Sequence, residues 1–156
     1  MEPNATFVKT HIMKTIIVRS VLTMILFCFI VNVNAQTPVN WTSKQLIKPA
    51  ELAIILKTNK ALPMIFSVGP AATIPHSFEI GMVKEKSNLD KFKMQLKGIQ
   101  KNKKIVVYCG CCPYEHCPNV RPAIDALKEM GFTNYYLLDL PQNIKKDWID
   151  KGYPTL

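Results

Sequence analysis

Short apolar blocks alternate along this chain with stretches whose apolar residues recur every three or four positions. The run 63–69, closed by Gly69-Pro70, and the blocks Ile105-Val-Val-Tyr108 and Tyr135-Tyr-Leu-Leu138 are continuous and brief, which predicts strands. Leu46-Ile47 and Ser77-Phe-Glu-Ile80 predict two shorter ones. Between them, Lys48-Pro-Ala-Glu51 opens a helix whose apolar face is Leu52, Ile55 and Leu56 and whose end is Thr58-Asn59-Lys60. Leu89, Phe92, Leu96 and Ile99 predict a helix over 89–99. Val120, Ile124 and Leu127 mark the face of the next, with Pro118 at its start and Gly131 as its C-terminal cap. Residues 144–150 predict a short last helix carrying Trp148, which with Phe132 and Tyr153 reads as core.

Strands alternating with helices predict an α/β fold with three layers, a mainly parallel central sheet flanked by helices on both faces. In such sheets the functional site lies beyond the C-terminal ends of the strands. Tyr108-Cys109 is such an end.

The N-terminal segment has a different pattern. Lys9, His11, Lys14 and Arg19 precede an almost wholly apolar run from Ser20 to Val33, and Val33-Asn34-Ala35 offers the small residues of a cleavage site. The expectation is a signal peptide over residues 1–35, a leader over 36–45 and one domain over 46–156. Translation starts at either Met1 or Met13. The product is exported, periplasmic or secreted, with no stable membrane association after cleavage. The apolar run is shorter than the roughly 20 residues of a spanning helix.

Charge changes the picture modestly. The chain carries +9, and loss of Glu2, Lys9, Lys14 and Arg19 with the signal leaves +7. The lysines are spread over several segments without arginine and aromatic interleaving, so no nucleic-acid partner is expected. A basic domain suits small anionic substrates or an acidic partner.

The decisive chemistry is sulfur. Cys109, Cys111, Cys112 and Cys117 fall within nine residues, and the remaining cysteine, Cys28, lies in the signal. An oxidising compartment favours disulfides, but bridges within one loop cannot staple a domain, so the cluster reads as reactive or metal-binding. Cys109 is the candidate nucleophile, with Cys112 and Cys117 as alternatives. Cys109-Gly-Cys-Cys112 is also a dithiol spacing. A second cysteine could resolve a persulfide, leaving a disulfide. Arg121 is the sole arginine after the signal, and its planar fork of donors suits anionic sulfur–oxygen groups. His116 is a candidate proton shuttle or ligand. Glu115 is expected to face solvent, and Asp139 to end a strand and cap a turn.

Taken in order, Lys48-Pro-Ala-Glu-Leu52, Ile74-Pro75-His76-Ser77, Val106-Val-Tyr-Cys109, the segment 123–132 and Trp148…Gly152-Tyr153-Pro154 resemble the rhodanese family of sulfurtransferase domains. The resemblance covers nearly all of 46–156. It implies a catalytic cysteine at Cys109 that takes sulfane sulfur from an anionic donor of the thiosulfate or polysulfide class, carries it as a persulfide and passes it to a thiol or cyanide-type acceptor. Arg121, Cys112, Cys117 and His116 would line the substrate site, with no cofactor and no resident metal. The partners it implies are a small anionic sulfur compound and a thiol-containing acceptor protein. His76 stands where relatives usually carry glycine. The family's loop places four residues between its cysteine and a basic residue, whereas eleven separate Cys109 from Arg121. The alternative is an exported thiol redox or soft-metal-binding protein using the same cluster. Vicinal Cys111 and Cys112 are not expected to face one tetrahedral ion together.

Overall fold

The continuous apolar blocks pair side by side. The computed structural model describes residues 41–156, so the expected signal peptide, its expected cleavage site and residues 36–40 lie outside the described residues. Leu46–Ile47 (β1), Met64–Ser67 (β2), Ser77–Glu79 (β3), Ile105–Tyr108 (β4) and Tyr135–Leu138 (β5) form one sheet in the order β1-β5-β4-β2-β3. Every pairing is parallel. Strand β4 is central, in register with β2 from Met64↔Ile105 to Ser67↔Tyr108 and with β5 from Ile105↔Tyr135 to Val107↔Leu137.

All four β4 residues are buried because both faces of the sheet are covered. Alternation along the strand sends Ile105, Val107 and then Cys109 to one side, among Phe66, Phe92, Leu96, Ala123 and Leu127. Val106 and Tyr108 go to the other, among Leu52, Leu56, Leu138 and Trp148. The first side is covered by the helices Lys86–Gln95 (α2) and Val120–Glu129 (α3), and the second by Pro49–Thr58 (α1) and the C-terminal segment. The result is the expected three-layer α/β architecture. Each large side chain so enclosed contributes about 1.5–3 kcal/mol over its exposed state. Among the described residues no helix is long and apolar enough to cross a membrane.

The helix ends follow local chemistry. Pro49 sits in the first turn of α1, and Asn59 closes that helix in the left-handed region (φ 53°). Gly131 (φ 78°) closes α3, with its N–H on Lys128 O (3.0 Å) and the Phe132 N–H on Leu127 O (3.0 Å). This is the paired bonding of a Schellman cap.

Three expectations about boundaries are corrected. Helix α2 begins before Leu89 and ends at Gln95; Leu96 and Ile99 still pack on the core although they lie past the helix. Pro118 lies outside α3, which starts at Val120 after Asn119; the proline in its first turn is Pro122, where a missing N–H costs nothing. The last helix, α4, is only Ile144–Asp147 and passes into a 3-10 turn over Ile149–Lys151, with Trp148 buried between and its Nε1 donating to Pro154 O (2.7 Å). His76 precedes β3, at the N-terminal rim of the sheet and away from Cys109, and adopts the left-handed φ of 61° that favours glycine.

Candidate functional site

Cys109 follows β4 directly, so the sheet itself fixes its sulfur. The Val68 N–H donates to Tyr108 O (2.9 Å), which brings the end of β2 level with the end of β4. Gly69 then passes so close that a Cβ there would lie 2.8 Å from Cys109 Sγ. Only glycine leaves that sulfur where it is. Gly110 has a matching constraint: a Cβ would meet Ile144 Cγ2 at 2.8 Å, and the Gly110 carbonyl accepts from the Ile144 N–H (3.0 Å). The cysteine loop is thereby seated against the start of α4. A 3-10 turn over Tyr114–His116 reverses the chain, and Cys117 returns to the cluster, buried like Cys109.

The structure brings all four cysteines together as free thiols. Cys109 Sγ is 3.3 Å from Cys111 Sγ, which is 3.4 Å from Cys112 Sγ, and all four sulfurs lie within 4.8 Å of one another. Vicinal Cys111 and Cys112, not expected to face one tetrahedral ion together, both bring their sulfurs into this group. Cys111 is exposed and Cys112 half-buried, so the cluster opens to solvent on that side.

Electrostatics single out Cys109. A hydrogen bond from the Cys117 thiol lowers its pKa most; burial opposes this, and bonds from the Cys111 N–H, the Cys111 thiol and the Asn119 amide lower it further, from the ordinary 9.0 to about 5. The neighbours move the other way. Burial, then the bonds to Cys109 and Cys112, push Cys111 up to about 12. Cys117 is raised, chiefly because it donates to Cys109 and then by burial. Of these three thiols, Cys109 at the strand end is thus the one favoured to carry a negative charge.

Asn119 was not singled out in the sequence. It occupies the N-cap position of α3 but does not cap that helix with its side chain. Its Oδ1 instead accepts from the Lys84 N–H (3.1 Å) and its Nδ2 donates to Cys109 Sγ (3.7 Å). This buried amide ties the loop after β3 to the sulfur. A polar residue between Pro118 and the apolar face of α3 is the only sequence signal it gives. Gly69 was likewise read as no more than the end of a strand.

The other candidates are placed less centrally. Arg121 lies in the first turn of α3, half-buried, with its guanidinium 5.3 Å from the ring centre of Trp41. Residues 41–45 of the expected leader are thus engaged with the domain; Trp41 packs on its core and residues Ser43–Gln45 form a 3-10 turn. His116 is exposed on the loop's turn and is not among the groups whose ligand atoms converge. Glu115 is exposed, as expected. Asp139 follows β5, and burial, with the Asp147 charge, raises its carboxyl pKa against the opposing Lys48.

No family model matches the chain, and no curated protein matches it. What the site can do therefore rests on its own geometry: a thiolate favoured at Cys109, Cys111 and Cys117 bonded to it, Cys112 within 4.8 Å, and a ligand set made wholly of sulfur.

Proposed function

We infer that the protein is a sulfurtransferase that carries sulfane sulfur on Cys109. The observation that carries this reading is the convergence of donors on one strand-end sulfur: the Cys111 N–H, the Asn119 amide and the Cys117 thiol all reach Cys109 Sγ. A thiolate, not a thiol, attacks sulfane sulfur. The resemblance to rhodanese domains supports the same assignment.

In the first step the Cys109 thiolate attacks the outer sulfur of an anionic donor of the thiosulfate or polysulfide class. The donor's S–S bond breaks, and its electron pair leaves with sulfite or the shortened polysulfide. The product is a Cys109 persulfide. In the second step an acceptor thiolate attacks the outer sulfur, and the Cys109 thiolate departs with the bonding pair. The donors that held the thiolate hold it again. Arg121 and the loop N–H groups are assigned to the anionic donor, and the exposed side of Cys111 and Cys112 to the acceptor, a thiol-bearing protein. The setting is an exported domain.

Mass spectrometry of the reduced protein after incubation with thiosulfate or polysulfide tests this. Wild type gains one sulfur on the Cys109 peptide, and Cys109→Ser loses transfer by at least a thousandfold. Substitution of Cys111, Cys112 or Cys117 weakens transfer without abolishing it. Unchanged transfer in Cys109→Ser ends the proposal.

A further inference from the structure

The four sulfurs form a closed ring of neighbours. Cys109 touches Cys111, Cys111 touches Cys112, and Cys117 completes the ring through bonds to both Cys109 and Cys112. Thiols gain little by such convergence, since S–H is a weak donor and sulfur a weak acceptor. Sulfurs bound to one zinc ion at about 2.3 Å stand about 3.8 Å apart along the edges of a tetrahedron. The observed separations of 3.3 and 3.4 Å, with none above 4.8 Å, lie within about 1 Å of that value.

A second, independent feature points the same way. Asn119 is 2% exposed, and it spends its amide on Cys109 Sγ rather than on the helix it precedes. The Cys111 N–H reaches Cys109, and the Asn119 N–H reaches Cys117. Such N–H···S bonds are the outer support that orients thiolate ligands and offsets their charge. Neither carboxylate nor imidazole joins the set among the described residues. An all-sulfur set selects soft, thiophilic ions over magnesium, calcium or manganese.

We propose that Cys109, Cys111, Cys112 and Cys117 together ligate one thiophilic d10 ion, zinc(II) or copper(I), with Asn119 as the outer support of Cys109. The exposed Cys111 edge is the entry path, and it makes the ion exchangeable. Binding displaces the thiol protons and changes no oxidation state. The site does not depend on the sulfurtransferase reading, but the two uses compete: an ion on Cys109 removes the nucleophile.

The test is titration of the reduced, metal-free protein with zinc(II) and, anaerobically, with copper(I), each against a chromophoric chelator. Thiol alkylation and X-ray absorption of the loaded protein are read alongside. The expected result is one ion per chain. Either ion protects all four thiols, and zinc shows a shell of four sulfurs near 2.3 Å. Asn119→Ala weakens affinity ten- to a hundredfold with the folded circular dichroism spectrum retained. Binding by only one of the two ions identifies the resident. Failure of both to bind at micromolar concentration overturns the proposal, as does equal binding by a folded Cys112→Ser/Cys117→Ser variant. Sulfur uptake by the metal-free protein is measured separately, so failure of either idea leaves the other standing.

Discussion

At the scale of single residues, the contest is between burial, which opposes a charge on Cys109, and hydrogen bonding, which favours it. Bonding wins because four groups from three residues donate to one sulfur while Cys111 and Cys117 are pushed toward the protonated form. With Cys109 depressed to about 5, its alkylation in the reduced, metal-free protein stays near its maximum from pH 9 down to pH 6 and then falls with a midpoint near 5. Cys111, pushed up to about 12, reacts slowly over the whole range. The linkage has a defined sign. A depressed folded pKa contributes stability that is fully present above the unfolded thiol value and is lost as pH falls through the folded one. The stability gap between wild type and Cys109→Ser therefore narrows as pH is lowered from 9 to 5, read by denaturant midpoints at matched ionic strength. A gap that widens on acidification contradicts the assignment of the charge to Cys109.

At the scale of elements, the site is held by the ends of strands and the starts of helices. Gly110 joins these directly, since the Cys loop and α4 meet there with no room for a side chain. Gly110→Ala is expected to cost about 1–3 kcal/mol through overpacking against Ile144. Pairing it with Ile144→Ala should cost less than the sum of the two single changes, because the second removes Cγ2, the nearest atom the first collides with, and leaves only the Ile144 Cβ contact at 2.9 Å. Additive costs in a denaturant cycle would place the strain elsewhere. The sequence made the elements legible where one signal dominated. Ile105 to Tyr108 is apolar throughout because β4 is covered on both faces, and Gly131 announced the end of α3. It misjudged α2 because apolar spacing reports burial rather than helical hydrogen bonding: Leu96 and Ile99 stay in the core after the helix has ended, in a turn that Gly98 completes at φ 78°. The cysteines were legible because they are rare and clustered. Asn119 and Gly69 were not, because each acts on Cys109 through a contact that only the fold creates; Gly69 stands 40 residues before it in the chain.

At the scale of the whole molecule, adjacent residues of β4 serve the two faces of the sheet, and stability and chemistry separate along that line. Cys109 turns toward α2 and α3, whereas Tyr108 turns toward α1 and is fully buried. The Tyr108 hydroxyl accepts from the Thr73 N–H (2.9 Å) and the Ile74 N–H (3.2 Å), and it lies 3.2 Å from Ser77 Oγ. One phenol thus ties the crossover between β2 and β3 to the central strand. Removing its oxygen leaves two backbone donors beneath the surface without that acceptor, and such orphans cost about 1–3 kcal/mol each. Tyr108→Phe should therefore destabilise the fold by about 2–4 kcal/mol in urea or thermal melts. Its ring still fills the same space, so the sheet keeps its register and Cys109 keeps the donors that reach it from the opposite face. The alkylation midpoint of Cys109 should stay near 5 below the melting transition, although the protein melts earlier. If that midpoint rises with the loss of stability, the two faces are coupled through β4, and the thiolate depends on the whole sheet rather than on its own loop.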